Sequence, residues 1–593
     1  MAPAPSAASS SEAREFSVRC PVHGMISLPA LLRRFIDHRW FQRLRHIRQL
    51  SMSSHVYPGA THTRFVHSIG TAYLSYEMVR RIQRRQPELE VEEKDVLCVA
   101  LAGLLHDIGH PMFSHMFEKF VHAVASDESL TEEQRSGYMQ WEHEHASIAF
   151  VRLLWREPDM RAALEVAGLG DQELEFVCAL IHPPKKQLLD ALGRGCLGAE
   201  WASLVPFRPK EKSWMFEVVS NWRCGLDADR FDYFRRDAHA LGIKKEFDHG
   251  RYMNSVRVVF DAAGGIWTLS PPDKDRDSIR DDMFELRRSL HRTAYQHKTV
   301  QKIEKHMIDI LLSMERCGFS VVGKGGARVK MSQAAVDFDP AAYSQLLDSL
   351  VEQRLVEIQE PDAPLSQACR DYEQRVLKRN LFRLVADFDV PSNMDFAKQE
   401  DKIIDRMLKV YESLHACNKM RDLLQEFHGS GAKADSFAEA HVLSRSMFRC
   451  NVAEFHQGSG REDPLRRVVF HSSKDPSRVG KLLRGEQEAP PLSQKVFVFF
   501  DAGTDRQEIK SARTDGLMRQ LTAVLNKHVF AEIDEELQRE RLAAAEWRAC
   551  ATPLQAQRAS VEPSNLEHTP AAPGPRSPSR KKRRTLYAHN SLD

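Results

Sequence analysis

The sequence predicts a mainly α-helical protein with a smaller mixed α/β lobe toward its C-terminus. Apolar residues recur at helical spacing through the N-terminal half, strand-like runs are short and few, and near the C-terminus the composition turns to Pro, Ala, Ser and Arg as periodicity fades. In order, Leu28–Gln49 carries Leu31, Leu32, Phe35, Ile36, Phe41, Leu44 and Ile47 on a helical repeat. Ser68–Arg85 repeats Ile69, Ala72, Tyr73, Tyr76 and Val79 in the same way. Glu92–Leu105 is apolar over its second half, as a helix buried at its C-terminal end would be, and Ser278–Ser313 has room for one long helix. Arg257–Phe260 and Ile266–Leu269, joined by Ala-Ala-Gly-Gly, predict a hairpin, and Arg467–Ser472 and Lys495–Phe500 predict further strands.

At 593 residues the chain is too long for one compact core. We expect a tail over 1–15, a catalytic core over 16–315, a lobe for regulation and oligomerisation over 316–535, and a mostly disordered basic tail over 536–593. Charged residues make up 28% and hydrophobic ones 42%, as in soluble globular proteins, and runs such as Val96–Leu105 are too short to span a bilayer. Ala2–Ser11 lacks the charged-then-apolar layout of a signal peptide. Ten cysteines without a CxxC pair read as free thiols in a reducing compartment. A formal net charge of +2 gives no global argument for nucleic-acid binding.

The chemistry gathers in short blocks. His106-Asp107 closes the apolar run Cys98–Leu105, and burying two polar groups there costs free energy unless something pairs with them. A divalent cation satisfies both, because imidazole nitrogen and carboxylate oxygen suit first-row transition metals. Gly109 and Pro111 break the helix and let His110 and His115 turn back. Upstream, Arg64 and His67 lie three apart on one helical face; downstream stand Trp141-Glu142-His143-Glu144-His145. Asp229, Tyr233 and Asp237 recur every four residues, and Arg287, His291, Tyr295 and Lys298 form a similar stripe. One arrangement explains them all: His67, His106, Asp107 and Asp229 as a metal shell with open positions, Arg64, Arg230 and Arg287 against a polyphosphate, and Tyr233, Tyr295 and Asp237 around a sugar and base. Taken singly, each His reads better as a hydrogen-bonded structural residue and the Arg287–Lys298 stripe as surface, while Asp229–Asp237 reads equally well as a solvated helix face; their joint occurrence favours a site.

With these residues in view, the chain resembles the HD-domain phosphohydrolases, and within them the SAM- and HD-domain-containing deoxynucleoside triphosphate triphosphohydrolase family. The resemblance is dense from about Val18 to Leu312, through Trp40–Arg45, Tyr57–Ala60, His62–His67, Gly103–Phe117, Asp229–Gly242 and Ser289–Lys298, and looser to about residue 535. It implies His67, His106, Asp107 and Asp229 as ligands of a divalent metal (Zn, Fe, Mn or Mg). It places His110, His115 and His143 along the triphosphate, with His115 as the acid for the leaving 5′ oxygen, Glu118 orienting it and Glu144 in support. Gln49, Leu50, Asp237, Tyr295 and Gln296 would frame the nucleoside, Tyr295 crowding the 2′ position and excluding ribose. The implied reaction releases a deoxynucleoside and inorganic triphosphate, which lowers the cellular dNTP pool and has an antiviral role.

The pattern also departs from the family. Arg230 and Glu118 stand where relatives carry Lys and Asp, and an Arg fork differs from a Lys point charge. Val66 replaces an acidic residue, a change with no evident meaning, and only some fifteen residues precede the resemblance, so a form without the SAM domain is expected. The family assembles as tetramers when GTP and dNTPs fill an allosteric site, so a homo-oligomer, dimer or tetramer, is expected. Asp37, Gln42 and Arg45 match the guanine-reading part, and Arg257 and Lys298 are further candidates. Phe16, Arg19, Cys20 and Pro272 depart from that site, leaving open whether GTP activates this chain. Arg580-Lys581-Lys582-Arg583-Arg584 is a nuclear-import-type run beside Ser577-Pro578, so nuclear placement is expected, with the cytoplasm as the alternative. Two competing readings are a single-stranded nucleic-acid-binding protein with a relic site, and a phosphohydrolase of another nucleotide. Intact metal ligands argue against the first.

Overall fold

Packing of helices through small side chains brings the chemical residues together. The computed structural model describes residues 15–357, 360–390, 400, 402–405, 408–409, 448–455, 464–481 and 493–500. All of these belong to one compact unit, Met1–Val529. The basic run at 580–584 and its neighbouring Ser577 lie outside the described residues.

Six helices position the site: α1 (Arg64–Arg85), α2 (Glu93–Leu105), α3 (His115–Val124), α4 (His143–Arg156), α5 (Ala228–Leu241) and α6 (Lys298–Arg316). The second is apolar almost all round, and accordingly Val96 and the whole run Cys98–Leu105 are buried. A capping box fixes its start, with the Glu92 N–H donating to the Asp95 carboxylate at 3.1 Å. Glycines let its neighbours approach: a Cβ at Gly103 would stand 2.7 Å from Ser75 Oγ on α1, and a Cβ at Gly70 would stand 1.9 Å from Asp232 Oδ1 on α5. Both contacts are too close for any side chain larger than hydrogen, so α2 meets α1 through the bare backbone of Gly103, and α1 meets α5 through that of Gly70.

The strands are few. An N-terminal hairpin pairs β1 (Glu15–Cys20) with β2 (Gly24–Pro29), Glu15 opposite Pro29. The anticipated hairpin appears as β3 (Arg257–Asp261) and β4 (Ile266–Ser270). Toward the C-terminus come β5 (Arg383–Val390), β6 (Phe448–Phe455), β7 (Val469–His471), β8 (Val479–Lys481) and β9 (Ser493–Phe500). They form an antiparallel sheet of order β5-β9-β6 and a separate β7-β8 pair. Phe382, Ala453, Phe455, Phe497 and Phe499 give this lobe its own apolar cluster. The mainly α fold with a small mixed lobe is thus observed, and no helix among the described residues is long and apolar enough to cross a membrane.

Two expected helices are broken. In Leu28–Gln49 the strand runs to Pro29, a helix covers Ala30–Ile36, and His38 is extended (φ −71°, ψ 139°). Its Nδ1 accepts the Trp40 N–H at 3.2 Å and restarts a short helix, Arg39–Gln42. Ser278–Ser313 holds π-helical turns at Ile279–Phe284 and His291–Tyr295, and leaves helical geometry at His297 (φ −63°, ψ 127°), which caps α6 through the Thr299 N–H. Such wide turns recur at functional sites because they re-aim side chains. The N-terminal hairpin was not anticipated, although Phe16, Val18 and Cys20 alternate with exposed Glu15, Ser17 and Arg19.

A buried ion cluster ties the β3–β4 hairpin to the segment Lys210–Glu217: Arg223 lies 2.7 Å from Asp261 and 3.4 Å from Glu217, which also accepts from Thr268 and Leu269. Removing one member strands a buried charge, so Asp261→Ala is expected to cost about 3–5 kcal/mol in urea unfolding. A loss under about 1 kcal/mol would show that the cluster does not hold the hairpin.

Candidate active site

His67 lies in the first turn of α1, His106 caps the C-terminus of α2 with Asp107 beside it, and Asp229 lies in the first turn of α5. The imidazole Nε2 atoms of His67 and His106 face each other at 3.2 Å. Asp229 Oδ1 is 3.1 Å from the first and 3.4 Å from the second, while Asp107 approaches them at 3.4 and 3.5 Å. Each ring is held from behind. His67 Nδ1 donates to Asp232 at 2.7 Å, and His106 Nδ1 donates to the Gly103 carbonyl at 2.9 Å. A ring that spends its Nδ1 proton outward presents an Nε2 lone pair inward, as metal-ligating histidines do. Two such lone pairs repel, and the two carboxylates add two negative charges. Burial opposes a charge on His67, yet hydrogen bonds to Asp229 and Asp232 outweigh it and push its pKa up to about 10. The donor set therefore calls for positive charge, and a divalent cation fits it.

Beside this centre opens a cavity of about 510 Å³. His106, Asp107, His110, His115, His143, Glu144 and Asp229 line one end, with Arg64, Arg230 and Arg287 around it. Gln49, Leu50, Tyr233, Asp237, His291, Tyr295 and Gln296 line the other. His67 and Glu118 do not line it and act from behind.

The histidines form a stack. His110 and His143 lie face to face with ring centroids 3.6 Å apart, and His115 meets them edge-on at 4.9 and 5.4 Å. Burial, Arg64 and His143 hold His110 well below the usual imidazole range. For His143 burial is outweighed by Glu144 and Glu118, which push its pKa up to about 9. His143 Nδ1 donates to Glu118 at 2.5 Å, and the same carboxylate lies 3.6 Å from His115. One neutral and one cationic imidazole thus stand side by side, a pairing suited to proton transfer.

At the other end the Tyr295 hydroxyl donates to Asp237 at 2.6 Å, and His62 donates to the second oxygen at 2.7 Å. Arg287 donates to the Tyr233 hydroxyl at 2.9 Å. The other two expected phosphate-gripping arginines face carboxylates: Arg64 lies 2.6 Å from Asp107, and Arg230 pairs with Asp227. Several buried polar atoms on the cavity wall have no hydrogen-bond partner, among them Gln49 Oε1, His110 Nδ1 and Arg287 Nε, while His110 Nε2 lies 3.4 Å from Asp107. Such atoms are rare inside a fold unless a ligand or water meets them.

None of the five candidate allosteric residues lines this cavity. Arg45 donates to Gln42 at 2.7 Å and lies over the Phe65 ring, while Asp37 accepts from Arg33. Arg257 is in β3, and Lys298 is exposed at the start of α6, so the expected stripe from Arg287 to Lys298 ends at the π turn. Phe16, Arg19 and Cys20 lie on β1, where Cys20 is buried with its sulfur 3.5 Å from Arg236 Nη2; Pro272 pairs with His471.

Several contributors escaped the sequence reading. Asp232, inside the Asp229–Gly242 block but not among the candidate site residues, anchors His67. Asp348 is more remote: its carboxylate accepts the Phe113 N–H at 2.7 Å and the Arg48 N–H at 3.0 Å. Phe113 and Ser114 both take left-handed geometry (φ 58° and 54°), costly for residues with side chains, directly before His115. Ser114 Oγ donates to the Arg48 carbonyl at 2.7 Å and accepts from Arg64 at 3.0 Å. No local motif announces a contact between residues more than two hundred positions apart.

Burial, only partly offset by these N–H groups, pushes the Asp348 pKa up to about 6. The folded chain therefore binds this proton more tightly than the unfolded one, whose carboxyl titrates near ~3.9. The resulting stability is complete below about pH 4 and is lost as pH rises through about 6. Unfolding of wild type and Asp348→Asn in urea should show the wild-type advantage shrinking by on the order of 3 kcal/mol between pH 4 and pH 7. A difference independent of pH would mean that Asp348 is not the titrating group.

The HD domain family model matches residues 64–182, from the turn of His67 through His106, Asp107 and His143. The deoxynucleoside triphosphate triphosphohydrolase SAMHD1 of Homo sapiens is 32% identical over 498 residues, covering 83% of this chain and 71% of its own. That of Gallus gallus is 32% identical over 465 residues, with 78% and 67% covered. A Dictyostelium discoideum homologue is 30% identical over 375 residues, with 63% and 60% covered. With His67, His106 and Asp107 inside the HD match and similarity running along most of both chains, this protein belongs to the SAMHD1 family of HD-domain deoxynucleoside triphosphate triphosphohydrolases.

Proposed function

We propose that this chain hydrolyses deoxynucleoside triphosphates to deoxynucleosides and inorganic triphosphate. The observation that carries the reading is the shared cavity: a two-His, two-carboxylate centre at one end, partnerless buried polar atoms on its wall, and the Tyr295–Asp237 pair at the other end. The names and similarity of the relatives support the substrate class. His67, His106, Asp107 and Asp229 would hold a divalent cation, which when bound would supply Lewis-acid chemistry for a phosphoryl oxygen and for water.

The chain's own residues do the rest. Arg64, Arg230 and Arg287 neutralise the triphosphate, the first two by sharing guanidinium N–H groups that now face Asp107 and Asp227. Glu118 holds His143 and orients His115, which is mostly exposed and free to hand a proton to the leaving 5′ oxygen. The Tyr295 ring, fixed by Asp237, occupies the space that a 2′-hydroxyl would need. Mn, Fe, Zn and Mg all suit the donor set. GTP or dNTP activation with assembly into dimers or tetramers, an antiviral role and nuclear placement through 580–584 complete the proposal, on the strength of the resemblance and the basic run.

The purified chain incubated with each dNTP and Mn²⁺ or Mg²⁺, with and without GTP, should release deoxynucleoside and intact triphosphate, and Asp107→Ala should release neither. Pyrophosphate as product would move the attack to another phosphorus. Tyr295→Ala should accept ribonucleoside triphosphates, raising their kcat/KM by roughly 10-fold or more. Continued rejection of ribose by that variant would remove Tyr295 from the sugar pocket.

A further inference from the structure

Glu142, His145 and His182 form a second group of ligating side chains, distinct from the four residues of the metal centre. Glu142 is the N-cap of α4 and His145 its third residue, so one turn of chain sets both on the same side. The Glu142 carboxylate does not cap the helix, and it has no hydrogen bond or ion pair among the described residues. His182 ends the helix Asp171–Ile181 with extended-type geometry (φ −130°, ψ 80°), and Pro183-Pro184 stiffen the chain after it. The His145 and His182 rings stand 5.4 Å apart at 66°, and one nitrogen of each lies within 4.8 Å of a Glu142 oxygen and of the other.

We propose that Glu142, His145 and His182 bind a zinc ion, with water completing the coordination. Two imidazoles and one carboxylate are a donor set that zinc takes readily and that magnesium and calcium do not. Tetrahedral zinc with bonds of about 2.0–2.2 Å needs its ligands some 3.5 Å apart. Glu142 and His145 are exposed and His182 half-buried, so small rotations close the remaining gap and a hydrated ion can enter. His143 and Glu144 sit between two of the ligands. Zinc here joins the turn that carries them to the end of the neighbouring helix, without touching either.

The test uses the full-length protein. Zinc bound per chain is measured by equilibrium dialysis and metal analysis in wild type, in Glu142→Gln and in the pair His145→Gln with His182→Gln. The expected result is one zinc fewer per chain in each variant, with Mn²⁺-supported dNTP turnover within about 2-fold of wild type. In zinc-soaked wild-type crystals, anomalous scattering should show a peak between His145 and His182. Equal zinc content in all three proteins, or a zinc edge signal only at His67 and His106 or at His110 and His143, would overturn the assignment. The crystal experiment decides even if a variant folds poorly.

Discussion

The buried carboxylate of Asp232 is the hinge of the arrangement. It accepts hydrogen bonds from His67, from His23 at 2.7 Å and twice from Arg236, at 2.7 and 2.8 Å, with no exposure to solvent. An ionised carboxylate in that position is tolerable only because every lone pair is met by a donor. It reaches His67 because Gly70 leaves α1 bare at the contact. A glycine on one helix and an aspartate on another therefore decide which nitrogen of His67 faces the metal centre. Without them the first ligand would be free to turn, and the others would have nothing to converge on.

Around that hinge the charges alternate. Asp107, Asp229 and Asp232 concentrate negative charge, and Arg64 and Arg236 answer part of it. Burial works against every one of these charges, so each persists through its neighbours rather than through solvent. The same logic separates His110 from His143: burial, Arg64 and His143 itself outweigh Asp107 at the first ring, while Glu144 and Glu118 outweigh burial at the second. The site is thus a set of mutual dependencies, and its electrostatics cannot be assigned residue by residue.

Much of this was legible in the chain. The long apolar run ending in His106-Asp107 and the four-residue spacing of Asp229, Tyr233 and Asp237 are local patterns, and helices convert such patterns directly into shared faces. Sixteen positions of the reading, from Gln49 to Gln296, therefore meet along one cavity with His106. What could not be read was non-local or irregular. The roles of Asp348 and Asp232 depend on hydrogen bonds across 235 and 165 positions. The π turns on either side of Glu285–Leu290 carry no side-chain cap, and the extended His38 rests on the single contact to the Trp40 N–H; neither changes the apolar spacing. The allosteric candidates carry the least structural information, because surface side chains that pair with their own neighbours look the same whether or not a nucleotide visits them.

The left-handed pair Phe113 and Ser114 has a consequence for how this architecture can be inherited. The turn that presents His115 is kept in an unfavourable backbone shape by an acceptor, Asp348, that belongs to a region devoid of metal ligands and of any recognisable chemistry. A lineage could recombine or shorten that region while conserving all four ligands and every cavity residue, and still lose the geometry of the turn. The two stretches of chain are bound to descend together, and drift in the chemically silent one is constrained by the other.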